Sequence, residues 1–269
     1  MADAVADILN FKKRDRRMNL NCFFIPGLLI LSLVPVDIAK SEQDGQWVDL
    51  IDATGPTGIA EVGENVTLCS DVKLITDSQN LTALPGDGVV AALSKFDFGE
   101  ANNLLSKQKF GDCKVQLEFL IGKGSNSGVK LQRRYEIQLY DSVHKEKPSA
   151  KECGGIYPHW LFQGEGKPLK YIDQGVPPLV NAAKPAGDWQ QLEIVFKAPR
   201  FDSEGKKIEN ARFVSVTLNG QTIHQDVEVD SPTGNASTPL PEVAEAELFL
   251  QLDHGSVAFR NVRVMPLQL

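Results

Sequence analysis

The sequence predicts an all-β fold, an antiparallel β-sandwich of the jelly-roll kind with long loops over a concave face. Three observations carry that expectation. Short runs of alternating apolar and polar residues recur along the chain, and no stretch beyond the N-terminal leader shows a helical period. The chain of 269 residues is also punctuated by 22 glycines and 15 prolines, the density of turns that many short strands require.

Read in order, the leader comes first. The basic run "KKRDRR" at 12–17 precedes a stretch with no charge from Met18 to Val36, interrupted by Pro26 and Gly27. A basic region followed by an apolar one reads as a secretory signal, with a membrane anchor as the alternative. Residues 1–40 are therefore a leader and 45–269 a single domain, exported to the periplasm, cell envelope or extracellular space. Any membrane contact comes through the uncleaved leader alone. The net charge of −7 leaves no basic stripe for phosphates and excludes nucleic acid as a partner.

Next come the strands. "CKVQLEFLIG" (113–122) alternates, and "GKGSNSG" follows as a turn. "GVKLQRRYEIQLYDS" (128–142) reads as one strand, with Val129, Leu131, Tyr135, Ile137 and Leu139 on a core face and Lys130, Gln132, Arg134, Glu136 and Gln138 on the other. "WQQLEIVFKAP" (189–199), "ARFVSVTLNGQTIHQDVEV" (211–229), "AELFLQL" (246–252) and "VAFRNVRVMPL" (257–267) complete the pattern. Asn219-Gly220 between alternating runs predicts a hairpin. Thr76–Gly88 reads as turn-rich, and "PEVAEAEL" as one short turn at most.

Cysteines 22, 69, 113 and 153 make no disulfide framework, since loss of the leader leaves three. A single bridge, with Cys69–Cys113 as one pairing, stays open. No two cysteines lie close enough for a zinc site.

A row of Arg, Glu and Gln on one strand suits a groove better than a solvated face. Arg134, Glu136 and Gln138 line it in this reading, joined by Glu118 from the preceding strand. Gln251 alternates with Leu250 and Leu252 and is expected to point into the same groove. His254, at a strand end before a glycine, is the candidate base, because histidine titrates near neutrality. Its alternative is a turn histidine bonded to backbone. His144 and His159 sit in long loops, and His224 reads as a surface residue. Asn126 lies in a turn, while Tyr157 and Trp160 offer aromatic surface to a sugar ring or anchor their own loop. Arg260 reads as structural, turned inward toward a buried partner.

The strings "NSGVKLQRRYEIQLYDS", "CGGIYP", "PLVNAAKPAGDWQQLEIVFKAPRF", "VTLNGQTIH" and "LFLQLDHGSVAFRNVRVMPL" occur in the order seen in one family. The chain resembles the 3-keto-disaccharide hydrolases, also described as 3-keto-glucoside 1,2-lyase and 3-keto-2-hydroxyglucal hydratase domains, over roughly residues 45–269. Leu120 stands where that family often has arginine. The resemblance implies a concanavalin-like sandwich that acts on glycosides whose C3 hydroxyl has been oxidised to a ketone. Such a ketone acidifies the C2 hydrogen, so a base can form an enolate and the C1 substituent can leave by elimination. Adding water then gives the keto-sugar. That route needs a base, donors for the enolate oxygen and an acid for the leaving oxygen.

His254, Glu136 and Glu118 are accordingly the catalytic candidates. Arg134, Gln138, Gln251, Asn126, Tyr157 and Trp160 are the substrate-binding ones. No cofactor is assigned and metal binding stays open, since a divalent cation held by carboxylates among Glu118, Glu136, Asp141 and Asp253 could act as electrophile. The partner is an oxidised oligosaccharide or glycoside. The alternative function is a lectin-like module of the same fold, which binds sugar without turnover.

Overall fold

Alternation of apolar and polar residues builds the long strands of this molecule. The computed structural model describes residues 45–94 and 103–269, all within the compact unit Glu42–Leu269. The leader of residues 1–40, and the export expected from it, lie outside the described residues. Those residues form 17 strands and no helix. In chain order they begin with β1 (Val48–Ile51), β2 (Thr67–Leu74), β3 (Leu81–Ala92), β4 (Leu104–Phe110), β5 (Cys113–Ile121) and β6 (Asn126–Leu131). There follow β7 (Tyr135–Tyr140), β8 (His159–Leu161), β9 (Lys170–Tyr171), β10 (Gln190–Lys197), β11 (Arg200–Phe201) and β12 (Lys207–Glu209). The last are β13 (Ala211–Leu218), β14 (Gln221–Val229), β15 (Gly234–Asn235), β16 (Ala246–Leu250) and β17 (Val257–Pro266).

Two antiparallel sheets make the sandwich. The large one runs β14-β13-β10-β5-β17-β3-β2, with β1 pairing the second half of β17 on the same edge as β3. The small one runs β4-β16-β6-β7. Val115, Leu117, Phe119 and Ile121 of β5 belong to one core with Val129, Leu131, Tyr135, Ile137 and Leu139 of β6 and β7. Tyr135 crosses between the sheets to Phe196, 5.3 Å centroid to centroid, and Phe196 meets Phe213 edge-on at 5.5 Å. Each such ring contributes about 1.5–3 kcal/mol by burial.

The expected hairpin at Asn219-Gly220 is present between β13 and β14, both residues having positive φ (51° and 80°), as a type I′ turn demands. Segment 128–142 is not one strand. It is the end of β6, a three-residue loop and β7, with Leu131 opposite Tyr135. Gln132 and Arg133 take the left-handed conformations (φ 53° and 62°) usually given to glycine or asparagine. Because the loop has an odd number of residues, the apolar phase passes through it unbroken.

The stretch read as turn-rich is largely strand. β3 runs through it as one arm of a long hairpin with β2, and Gly86 lies against Ser70 where a Cβ would come within 2.7 Å. The Cys69–Cys113 pairing does not form, and Cys69, Cys113 and Cys153 are free. Cys113 lies in the core between the sheets, whereas Cys69 belongs to a second apolar cluster with Val72, Ala258 and Leu120, the residue that departs from the family arginine. Burial pushes the Cys113 thiol up to about 12 and the Cys153 thiol up to about 11. His224 is buried rather than on the surface, and its Nε2–H donates to the Gly154 carbonyl at 2.6 Å.

Candidate active site

With the odd residues of β6 and β7 in the core, the even ones stand on the outer face of the small sheet. Cross-strand register sets them in rows. Gln138 lies opposite Gly128, whose carbonyl accepts from the Gln251 N–H at 3.0 Å. Glu136 lies opposite Lys130, which lies opposite Phe249. Residues 154–157 extend this sheet beside β7: the Tyr157 N–H donates to the Glu136 carbonyl at 3.2 Å, and Gln138 exchanges backbone bonds with Gly154 and Gly155. Ile156 turns into the core, so Tyr157 turns outward over the same face.

Glu136 is 4% exposed. Lys130 Nζ lies 3.2 Å from its Oε2 and 5.4 Å from the centre of the Phe249 ring. Oε1 lies over Gly128, where a Cβ would sit 2.3 Å from it, so only glycine leaves the carboxylate this position. Tyr157 and Tyr171 share a hydroxyl hydrogen bond of 2.9 Å, and Lys151 Nζ sits 4.4 Å over the Tyr171 ring. Burial, then Tyr171 and the Glu136 charge, hold the Tyr157 phenol protonated well beyond its ordinary range. Tyr157 is thus a hydrogen-bond donor beside a carboxylate.

One row further, Gln138 Nε2 donates to Asn126 Oδ1 at 2.8 Å. His254 Nδ1 contacts Asp253 Oδ1 and lies 3.1 Å from the Gln251 amide nitrogen. Asp253 Oδ2 accepts from Asn103 Nδ2 at 3.0 Å. Burial opposes charge on Asp253, but the bonds from His254 and Asn103 outweigh it and keep the carboxyl below its usual range. An ionised Asp253 accepts the Nδ1 proton of His254, so Nδ1 has no lone pair left for the Gln251 amide and Nε2 is the basic nitrogen. The face therefore combines a carboxylate-oriented imidazole, a carboxylate–ammonium pair, a phenol and two amides. These are the parts needed to move a proton and to stabilise an oxyanion.

The structure brings together Glu136, Gln138, Gln251, His254, Asn126 and Tyr157. Trp160 pairs with Tyr171 across β8 and β9, so the two side chains share one face of that ribbon. Two expected residues lie elsewhere. Glu118 is on an even position of β5 and so on the outer face of the large sheet, on the far side of the sandwich. There Arg260 donates to it from Nε at 2.9 Å and Asn261 from Nδ2 at 2.9 Å. Arg260 therefore faces outward, not inward, and stacks 3.9 Å over Trp189. Arg134 belongs to the β6–β7 loop, and its guanidinium donates to the carbonyls of Pro241 and Gln132, both at 2.6 Å. It anchors that loop.

The four carboxylates considered for a cation do not converge. Glu118 is on the opposite face and Asp141 caps the Gly124 N–H at 2.9 Å. Among the described residues no three His, Cys, Asp or Glu side chains are grouped to hold a metal ion. Lys130, Tyr171 and Asn103 were not anticipated. Lys130 shares the even phase of Glu136 and could have been found from it, whereas nothing local marks Tyr171 or Asn103.

The sequence model of the 3-keto-alpha-glucoside-1,2-lyase-like domain matches residues 73–265. A comparison with curated proteins finds no match. Among solved structures, the fold is similar to that of a candidate glycosyl hydrolase from Parabacteroides distasonis (TM-score 0.57, 21% identity, 82% of this chain and 84% of that one). A second candidate glycosyl hydrolase from the same organism aligns with TM-score 0.46 and 19% identity over 82% of this chain and 100% of that one. A mutant of the alginate lyase Aly36B in complex with an alginate trisaccharide aligns with TM-score 0.43 and 11% identity, covering 83% and 99%.

Proposed function

The chain belongs to the 3-keto-alpha-glucoside-1,2-lyase-like domain family, a carbohydrate-processing family, and from that premise we propose that it cleaves or hydrates 3-keto-glycosides by elimination across C1 and C2. His254 Nε2 takes the C2 proton, and the electron pair of that C–H bond passes to the C3 carbonyl oxygen as an enolate. Lys130, the Tyr157 hydroxyl and the Gln138 and Gln251 amides are the donors available to that oxygen. Collapse of the enolate breaks the C1–O bond; the Lys130 ammonium, held by the Glu136 carboxylate, gives a proton to the leaving oxygen and regains one from the water that adds. Addition of water across the resulting double bond returns hydrogen to C2 and hydroxyl to C1. Trp160 and Tyr171 offer stacking surface to the sugar or aglycone.

The observation that carries this reading is the contact of His254 Nδ1 with the Asp253 carboxylate on the face that holds Glu136. An imidazole whose Nδ1–H is held by an ionised carboxylate presents Nε2 as the proton acceptor. The test is incubation of the protein with a panel of 3-keto-glucosides and their unoxidised parents, with and without chelator. Cleavage of the keto-sugars alone is expected; equal cleavage of the parents would overturn the elimination route.

One observation favours the lectin-like alternative. Gln138 and Asn126 already satisfy each other at 2.8 Å, as in a finished binding surface. His254→Ala separates the two readings, since it ends turnover in an enzyme and leaves binding intact in either. Export rests on the leader's charge pattern, and N-terminal sequencing of the mature protein tests it.

A further inference from the structure

The outer face of the large sheet carries a cleft of about 560 Å3 that the chemistry above does not use. Its floor is a polar ladder running across the strands. Thr217, Glu193, Gln116, Arg263 and Asp49 stand opposite one another on β13, β10, β5, β17 and β1. Within it, Gln116 donates to Glu193 and accepts at Oε1 from Arg263 Nη2 at 2.6 Å. Five strands about 4.8 Å apart give the ladder a length of about 19 Å. Gln191 flanks it, opposite Glu118.

We propose that this cleft binds an extended, uncharged oligosaccharide laid across the strands, as a docking site separate from the Glu136–His254 face. Planar amide, carboxylate and guanidinium groups in line present donors and acceptors side by side, the arrangement that pairs with the hydroxyls of successive sugars. Among the described residues the side chains of Thr217, Asp49 and Gln191 make no hydrogen bond, so their capacity is available to a ligand. Lys114 and Arg260 pair with Glu193 and Glu118, which leaves the carboxylates of Asp49 and Asp52 against Arg263 in the cleft, a balance that still disfavours an anionic polymer. Leu117, Leu192 and Ile51 also line it but are buried in the core, which leaves little apolar surface for a lipid or an apolar peptide. Only the choice of a sugar as occupant rests on the proposed function.

The test uses the full chain carrying His254→Ala, titrated calorimetrically with unoxidised cello- and malto-oligosaccharides of increasing length. Affinity is expected to rise with length and level off once a chain spans the ladder. Adding Asp49→Ala and Gln191→Ala, both on exposed positions, should weaken binding at least about tenfold. In an otherwise native background the same pair should leave turnover of a 3-keto-glucoside unchanged. Undetectable binding, binding insensitive to the pair, or binding of oligolysine or an oligouronate in place of the neutral sugars would each overturn the proposal. Failure of turnover on keto-sugars, with cleft binding intact, would instead count against the proposed function alone.

Discussion

On the outer face of the small sheet, Lys130 and Glu136 lie 3.2 Å apart with their side chains 24% and 6% exposed. On the outer face of the large sheet, Lys114 and Glu193 lie 3.0 Å apart at 28% and 35%. Both pairs come from the same polar phase of alternating strands and differ little in separation. They differ in the solvent around the carboxylate. Tyr157 and residues 154–157 close over Glu136, whereas Glu193 opens into the cleft. A charge pair in a low-dielectric setting interacts more strongly and is costlier to break, while an exposed pair is screened by water and salt. Coverage, more than residue type, separates the face proposed for acid–base chemistry from the one proposed to hold a ligand.

That comparison can be broken at several points. The largest effect is expected at His254→Ala, which should lower kcat on a 3-keto-glucoside by about 10²–10⁴-fold, the usual worth of a positioned base, while the fold is kept and melting is only slightly lowered by the loss of one Asp253 partner. Loss of both activity and fold would place His254 among the structural residues. Next, Lys130→Met leaves Glu136 buried without its cation and should cost about 2–3 kcal/mol by urea denaturation. This is just below the range for a fully buried pair, because Lys130 is a quarter exposed. The matching Lys114→Met should cost less than about 1 kcal/mol. Equal costs would remove the distinction between the faces.

Gly128→Ala tests the position of the carboxylate. Its Cβ would displace Glu136 Oε1, so activity should fall about tenfold or more while the flexible side-chain end gives way at a cost under about 1 kcal/mol. The smallest effects are those of pH on stability. Burial holds the His224 imidazole below its ordinary value, so the folded state binds fewer protons than the unfolded chain as pH falls through about 6.5, and stability should begin to decline there. Burial opposes charge on Asp112, but Arg200 and the Leu269 and Ala198 N–H groups hold that carboxyl below the usual range. Asp253 is lowered too. The stabilisation from both aspartates is complete above about pH 4 and is lost as pH falls through their folded values. Urea midpoints should therefore decline in two stages, the first absent in a His224→Gln variant.

The sandwich was legible because alternation exposes one apolar face per strand whatever the loops do. Its limits show at two strands. The loop between β6 and β7 keeps the odd-even phase and places no glycine at its left-handed positions, so a hairpin read as a single strand. β3 carries Pro85, Gly86 and Gly88, which mimic a turn but sit in a bulge against β2, beyond the residues that pair with β17. For the site, phase placed Glu136, Gln138 and Gln251 on one outer face, whereas Asn126, read as a turn residue, is the first residue of β6. Phase cannot say which of two outer faces a polar residue occupies, and Glu118 fell on the other one. Arg134 failed because a loop residue does not inherit the direction of the strand beside it. Tyr171 and Asn103 arrive from distant segments, and no local pattern announces them.

The central claim is that cleavage proceeds through loss of the C2 proton to His254. The most direct measurement is turnover of a 3-keto-glucoside in deuterium oxide, with the product examined by NMR at C2. The elimination route predicts deuterium at C2 of the released keto-sugar at the rate of cleavage, with cleavage and exchange slowed together in the His254→Ala variant. Release of a product that retains its original C2 hydrogen would contradict it.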